Sequence, residues 1–137
     1  MNYTVWTFDE KSPIYIQLAH KLKYGILSGK LLPGENIPPI RSMADMLHLN
    51  VNTVARSYRL LNQEGLINTH RNKSYTVTSD CNYVNQKRLQ EMRLLCRNYI
   101  KVMSRLGFSQ EDILLFVQEY RRSETKSTTD YPYSPNL

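Results

Sequence analysis

Apolar residues recur at three- and four-residue steps along much of the chain, a spacing that predicts amphipathic helices. The first such stretch opens at Ser12-Pro13, with serine as cap and proline at the first helical position, and ends at Gly29. Its apolar face consists of Ile14, Leu18, Leu22 and Ile26. The preceding residues, 1–11, alternate aromatic and polar side chains. They predict a short strand or extended arm packed on its own domain, with a partner subunit as the alternative.

Two more helices are predicted between Ile37 and Gly65. Apolar residues on one face of the first are Ile40, Met43, Ala44 and Leu47, and those on the second are Val54, Tyr58, Leu61 and neighbouring Leu60. Asn50 or Asn52 can cap the second helix, and Gly65 is a left-handed stop. Two short helices joined by a tight turn are typical of a helix-turn-helix, whose second helix enters a major groove. Two core helices of a small helical domain are the alternative.

A hairpin is predicted directly after the second of these helices. Strand formers at Leu66-Ile67 and at 75–78 flank a polar, basic stretch. The tip, Arg71-Asn72-Lys73, combines two cations with Asn72, a residue that tolerates positive φ. Such a tip can rest on a phosphate or in a minor groove. A generic surface hairpin is the alternative.

Taken together, residues 13 to about 78 resemble the N-terminal domain of the GntR family of bacterial transcription regulators. The matching positions are Pro13-Ile14-Tyr15, Gly29, Leu32-Pro33-Gly34-Glu35, Pro38, Arg41, Asn52-Thr53-Val54-Ala55-Arg56, Tyr58-Arg59 and Glu64-Gly65-Leu66-Ile67. With its short tail the chain is most similar to the YtrA-like branch. The resemblance implies a winged helix-turn-helix, a DNA contact by Arg41 and a dimer. The fold class is therefore predicted as mainly α with a small β-hairpin wing and a two-helix C-terminal extension.

Residues on the outer faces of the predicted second helix are the candidates for DNA contact. Asn52 and Thr53 at its start are placed to meet base edges, and asparagine can pair with adenine through two hydrogen bonds. Asn50 and Val51 lie just before them, and Val51 can meet a thymine methyl. The remaining candidates, assigned to phosphates or the wing, are Arg41, Arg56, Arg59, Arg71, Asn72 and Lys73. Tyr58 is predicted to be core.

Two positions depart from the family pattern. His48 occupies the turn position that is usually glycine, and histidine tolerates positive φ only moderately. The wing tip lacks the usual glycine, so a side chain there impedes the close approach of the backbone to DNA.

The C-terminal part predicts two helices separated by Gly107. A seven-residue repeat runs along the first, and Ser109 with Asp112 begins the second in a near capping box. Two helices cannot enclose a core, so they must pack on the winged helix or on a second subunit. The predicted dimerisation residues are Leu89, Met92, Cys96, Tyr99, Met103, Leu106, Ile113, Phe116, Val117 and Tyr120.

The length of 137 residues suits one domain of about 70 residues with an appendage. The predicted parts are an arm at 1–11, the winged helix at 12–79, the dimerisation segment at 80–122 and a disordered tail at 123–137. The net charge of +6 and a pI near 9.4 suit a polyanionic partner. Between Ile37 and Val77, five cations (Arg41, Arg56, Arg59, Arg71 and Lys73) oppose two acids (Asp45 and Glu64).

Several function classes lack the residues they require. Cys81 and Cys96 form no CxxC motif, which argues against a zinc site or a disulfide framework and predicts two reduced thiols, with Cys96 buried. His20, His48 and His70 lie on different elements, with no Cys or acid at ligand spacing, so neither an enzyme nor a metal or other cofactor is expected. No leader or long apolar run is present, and a cytoplasmic protein is expected.

The predicted function is a sequence-specific regulator, more often a repressor, that binds an inverted repeat of double-stranded DNA as a homodimer. A winged helix used only for protein–protein interaction is the alternative, and it predicts no salt-dependent affinity for duplex DNA. No residue cluster identifies a small-molecule effector.

Overall fold

The computed structural model describes residues 1–123 and contains five helices and a small antiparallel sheet. In chain order the elements are α1 (Ile14–Leu27), β1 (Asn36–Ile37), α2 (Ile40–Leu47), α3 (Val51–Gln63), β2 (Ile67–Thr69), β3 (Tyr75–Val77), α4 (Cys81–Arg105) and α5 (Gln110–Ser123). The chain divides into two compact units, Met1–Glu91 and a second that begins at Met92. The first unit is a winged helix-turn-helix, as the sequence predicted. The predicted disordered tail, apart from Ser123, lies outside the described residues.

Helix α1 supplies much of the core of the first unit. Leu18, Leu22 and Ile26 are buried, whereas Ile14 at the helix start is exposed. The predicted serine cap is wrong, because Pro13 is the N-cap and no side chain caps the helix. The Ser12 carbonyl instead accepts a hydrogen bond from Gln17 Nε2 at 2.7 Å. Gly29, with φ of 81°, follows the end of the helix as predicted.

The N-terminal arm packs on its own domain, which confirms one of the two predicted locations. Its regular structure is a single 3-10 turn at Tyr3–Val5, so the predicted strand is wrong. Tyr3 is buried and packs edge-to-face on Trp6, with ring centroids 5.2 Å apart. Gln17 holds the arm further along, since its side-chain amide accepts from the Asp9 N–H at 3.0 Å and donates to the Asp9 carbonyl at 2.9 Å.

The turn between α2 and α3 depends on a left-handed histidine. His48 has φ of 54° and ψ of 42°, so it takes the conformation that glycine adopts at no cost. The Leu49 N–H donates to the Ala44 carbonyl at 2.9 Å and closes α2. Asn50 then caps α3, because its side-chain oxygen accepts from the Asn52 N–H at 2.8 Å. Of the two predicted caps, Asn50 is the one present.

The sheet has three strands in the order β1-β3-β2, one more than the predicted hairpin. Asn36 pairs with Thr76 and Ile37 with Tyr75, both antiparallel. The additional strand, β1, was not predictable from alternation of apolar and polar residues. It has only two residues and lies between two proline-containing segments. Its pairing places the chain that leads into α2 directly beside the wing.

The first turns of α4 belong to the N-terminal unit. The Tyr83 hydroxyl donates to the Glu64 carbonyl at the end of α3. Lys23 lies between two carboxylates, 3.2 Å from Glu64 Oε2 and 3.5 Å from Glu91 Oε2. Burial by itself lowers the pKa of Lys23, but the attraction of Glu64 and Glu91 outweighs it and raises that pKa above the usual value. Helix α1, α3 and the start of α4 therefore share one ionic cluster.

The second unit contains the rest of α4 and α5. The capping box at its turn is confirmed, because the Ser109 N–H donates to Asp112 Oδ2 at 2.9 Å and the Asp112 N–H donates to Ser109 Oγ at 3.2 Å. Hydrogen bonding of the carboxylate by the Ser109 N–H, and then by the Ser109 side chain, holds the pKa of Asp112 below its usual value. Gly107, with φ of 89°, follows α4 as predicted. The predicted burial of Cys96 is wrong, since both cysteines are exposed in the single chain.

Candidate DNA-binding interface

The first turn of α3 presents its side chains outward. Val51, the first helical residue, is 45% exposed, Asn52 is exposed, and Thr53 is half-buried. The turn holds this position because the opposite face of α3 carries Val54 and Tyr58, both buried. The Asn50 side-chain oxygen is already engaged as the helix cap. Asn52 therefore offers a complete side-chain amide, whereas Asn50 keeps only its amino group for another partner.

A hollow of about 330 Å³ joins three of the predicted contact residues. It is lined by Pro39, Ile40, Arg41, Val51, Lys73 and Tyr75. Arg41 comes from the first turn of α2, Val51 from the first turn of α3 and Lys73 from the wing. Two cations thus flank an apolar floor beside the exposed start of α3, an arrangement suited to a sugar–phosphate backbone.

The wing tip is a tight turn in which Lys73 has φ of 59°. The Lys73 N–H donates to the His70 carbonyl at 2.9 Å, and the His70 N–H donates to the Ser74 carbonyl at 2.9 Å. The positive φ is at Lys73, and not at Asn72, the residue of the tip that tolerates such a φ more readily. Asn72 instead accepts from the Ser74 N–H at 3.1 Å and from the Ser74 hydroxyl at 2.6 Å, which fixes the turn. Lys73 occupies the position that glycine usually takes in such a hairpin.

Further along α3, Arg56 lies over the Tyr15 ring, 3.9 Å from its centroid. Arg56 and Arg59 are both exposed. Tyr58 is core, as predicted, and its hydroxyl donates to the Pro38 carbonyl at 2.7 Å. This bond joins α3 to the segment before α2, which leads into Arg41.

Neither of the two acids of this region, Asp45 and Glu64, lies on the first turn of α3. Glu64 lies at the opposite end of the helix, where it is paired with Lys23. Asp45 is exposed on α2. Arg71 and Lys73 at the wing tip are both exposed. Of the cations predicted for DNA contact, Arg41 lies near the start of α3, Arg56 and Arg59 lie along the middle of α3, and Arg71 and Lys73 lie on the wing.

Sequence reasoning missed Tyr15, Tyr75 and Ile40 as parts of this surface. Tyr15 was named only as part of the family pattern, and Tyr75 only as a strand former. Their contacts join residues far apart in the chain, and periodicity within one element carries no signal for such pairs. The pairing of β1 with β3 is what brings Tyr75 near Arg41.

The predicted dimerisation residues form a largely exposed apolar surface. On α4, Leu89, Met92, Tyr99 and Leu106 are exposed with Cys96, and Met103 is half-buried. On α5, Ile113 is buried, whereas Phe116, Val117 and Tyr120 are exposed in the single chain. A cleft of about 660 Å³ between α4 and α5 is lined by Leu95, Cys96, Tyr99, Ile100, Gln110, Ile113, Leu114 and Val117.

Residues 1–123 hold no cluster of three or more His, Cys, Asp or Glu side chains that would suit a metal ion. None of the helices in that range has the length and apolar character needed to cross a membrane.

Comparisons with known proteins agree with this geometry. Residues 14–77 match the family described as bacterial regulatory proteins, gntR family. A GntR family transcriptional regulator from Listeria monocytogenes has a similar structure, with a TM-score of 0.77 and 30% sequence identity, over 82% of this chain and 98% of that one.

Two sequence relatives come from Bacillus subtilis (strain 168). The HTH-type transcriptional regulator YhcF is 29% identical over 107 residues, which is 78% of this chain and 88% of the relative. The HTH-type transcriptional repressor YtrA is 33% identical over 69 residues, 50% of this chain and 53% of the relative. The chain thus spans about half of the YtrA sequence but nearly all of YhcF.

Proposed function

The chain belongs to the GntR family of bacterial transcription regulators, and we propose that it is a repressor that binds an inverted-repeat operator as a homodimer. The single observation that carries the proposal is the exposed first turn of α3, with Asn52 beside a hollow flanked by Arg41 and Lys73.

In this proposal Asn52 and Thr53 read base edges in the major groove. The Asn52 amide is the side chain best suited to adenine, because its oxygen can accept from the adenine N6 amino group while its amino group donates to adenine N7 in the same plane. Val51, almost half exposed, supplies an apolar contact for a thymine methyl. Asn50 acts mainly as the helix cap and fixes the height of Asn52 above the groove.

Phosphate contacts then come from the cations around α3. Arg41 and Lys73 hold one stretch of backbone in the hollow between α2 and the wing, while Arg56 and Arg59 hold another along α3. Arg71 and Asn72 extend the wing contact. Lys73 keeps the wing backbone further from the DNA than glycine would, so we place its ammonium, and not its backbone, against a phosphate.

The apolar surface of α4 and α5 supports dimerisation. Leu114, Val117 and Leu106 are each more than half exposed, and contiguous apolar surface of this kind marks an interaction site. A second copy is the proposed partner. A two-fold dimer sets two recognition helices about one helical turn, roughly 34 Å, apart on the duplex, which requires an inverted repeat.

Repression is proposed because the relative YtrA is named a repressor. A dimer seated on an operator near a promoter excludes other proteins from that stretch of duplex. The protein acts in the cytoplasm, where bacterial DNA lies. No effector is assigned.

The test is selection of bound duplexes from a random double-stranded library at two salt concentrations. We expect enrichment of an inverted repeat with half-sites about ten base pairs apart, and weaker binding of all duplexes at the higher salt. A winged helix that serves only protein–protein interaction would enrich no sequence at either salt concentration.

A further inference from the structure

Arg56 makes one prominent contact, and that contact uses only the face of its guanidinium. Its central carbon lies 3.9 Å from the centroid of the Tyr15 ring, which is a stacking distance. Within the described residues the Arg56 side chain makes no hydrogen bond or ion pair. The N–H groups at the edge of the guanidinium therefore remain available while its face is covered.

Tyr15, on α1, is also held against α3 by Ser57, the residue that follows Arg56. Ser57 is fully buried, and its hydroxyl donates to the Tyr15 carbonyl at 2.6 Å. Adjacent residues of α3 thus hold two different parts of Tyr15, the backbone through Ser57 and the ring through Arg56. The ring cannot move away from the helix without breaking the buried hydrogen bond or rotating its side chain.

We propose that Tyr15 is a positioning residue for DNA binding, which holds Arg56 so that its free edge meets a phosphate. This inference rests on the proposed function, since it assumes that Arg56 contacts DNA. A free arginine side chain loses rotamer freedom when it binds, and a guanidinium already stacked has lost part of that freedom before the DNA arrives. The stack also shields one face from water, which strengthens the attraction of the free edge for an anion.

Arg59 provides the internal comparison. It lies on the same helix, is exposed, and has no aromatic ring contact among the residues that the structure describes. Both arginines contribute charge, but only Arg56 has a partner that orients it. Removal of Tyr15 should therefore weaken the contribution of Arg56 and leave that of Arg59 unchanged.

The experiment is a double-mutant cycle on binding to a mixed-sequence duplex, which reports phosphate contacts without an identified operator. We expect Tyr15→Leu to weaken binding by about three- to tenfold and Tyr15→Phe, which keeps the ring face, to restore most of that loss. In an Arg56→Ala background, Tyr15→Leu should cause no further loss. In an Arg59→Ala background it should cause its full loss.

A second variant changes the arginine of the Arg56–Tyr15 stack and not the tyrosine. Arg56→Lys keeps the charge but removes the planar group, so it should weaken binding to a similar extent and be insensitive to Tyr15→Leu. Thermal unfolding of each variant shows whether the fold is retained. Arg56→Lys keeps the test open if Tyr15→Leu unfolds the domain.

Three results would overturn the inference. Losses for Tyr15→Leu and Arg56→Ala that multiply would mean that Tyr15 acts on the fold alone. Tighter binding by Tyr15→Leu would mean that the stack withdraws Arg56 from DNA. An unchanged affinity for Arg56→Ala would mean that Arg56 does not contact DNA. If the wild type still bound the same duplex, the proposed function would stand without this inference, and if it did not, the proposed function would fail as well.

Discussion

Asn52 and Arg56 lie one helical turn apart on α3 but differ in what they are able to recognise. The Asn52 amide can distinguish bases by its paired donor and acceptor, whereas the Arg56 guanidinium binds any phosphate. This difference separates specificity from affinity along a single helix.

Asn52→Ala is expected to cost about 1 to 3 kcal/mol of binding free energy on the preferred duplex and much less on a mixed sequence. Arg56→Ala should weaken binding to both duplexes and reduce the slope of log affinity against log salt by about one. Fluorescence anisotropy at several salt concentrations measures both quantities. Equal losses on every duplex for both variants would contradict this division of roles.

Lys73 combines an unfavourable backbone conformation with a useful charge. A non-glycine residue at positive φ costs about 1 kcal/mol, so Lys73→Gly should have a larger free energy of unfolding than Lys73→Ala by about that amount. Both variants should lose the same part of the salt dependence of DNA binding, because both lack the ammonium. Urea unfolding and duplex titration give the two results.

If Lys73→Gly and Lys73→Ala were equally stable, the left-handed turn would not be maintained in solution. If Lys73→Gly bound DNA more tightly than the wild type, close approach of the wing backbone would matter more than the charge.

At the scale of elements, α3 is positioned by its ends and by two buried hydroxyls, those of Ser57 and Tyr58. Asn50 caps its start, Gly65 follows its end, and Tyr58 joins its middle to the Pro38 carbonyl. The Tyr58 bond also fixes the segment before α2, so it links the recognition helix to Arg41.

Tyr58→Phe should lower the free energy of unfolding by about 0.5 to 1.5 kcal/mol at neutral pH, since it leaves the Pro38 carbonyl without this donor. Burial raises the pKa of Tyr58, and the nearby Tyr3 and Tyr75 add to the shift. The unfolded chain therefore ionises first, and stability that is full below about pH 10 falls as the pH rises further.

The variant should show a shallower decline above that pH, though not a flat one, because burial also raises the pKa of Tyr3 and Tyr24. Chemical denaturation at a series of alkaline pH values measures it. Identical slopes for wild type and Tyr58→Phe would contradict the account of this buried phenol.

The sequence was sufficient for the helices and for the turn chemistry of the helix-turn-helix. Periodicity located Met43, Ala44 and Leu47 on one face. Residue type limited the cap to Asn50 or Asn52 and placed the stop at Gly65, because these signals lie within a few residues of one another. The left-handed turn at His48 was also identified from its register in the family.

Other features depend on contacts between distant segments. The strand β1 exists because Asn36 and Ile37 meet β3, and the stack of Arg56 on Tyr15 joins α3 to α1. Local patterns do not encode such pairings. The exposure of Cys96 and of most of α5 has a similar origin, since an apolar helical face predicts that something covers it but does not say that the cover belongs to the same chain.

At the scale of the whole molecule, binding to an inverted repeat requires two chains. Leu114 lines the cleft between α4 and α5 and is 60% exposed, while Leu32 in the connector before β1 is also 60% exposed. Leu114→Glu should give a monomer and weaken binding to the selected operator by about a hundredfold, because the two half-sites no longer bind as a linked pair.

Leu32→Glu adds the same charge at equal exposure and should remain a dimer with near wild-type affinity. Sedimentation equilibrium gives the oligomeric state, and anisotropy gives the affinity. A dimeric Leu114→Glu variant, or equal losses for both variants, would exclude this surface of α5 from the interface.

Binding of an inverted repeat by a homodimer is tested most directly by changing the spacing of the half-sites. The affinity of the wild-type protein is measured for selected duplexes whose half-sites are moved apart by about five or about ten base pairs, which is half a turn or one turn of the duplex. A homodimer that reads an inverted repeat predicts a large loss at half a turn, because the half-sites then face opposite sides of the duplex, and partial recovery at a full turn. Equal affinity at every spacing would contradict it, since each chain would then bind its half-site alone.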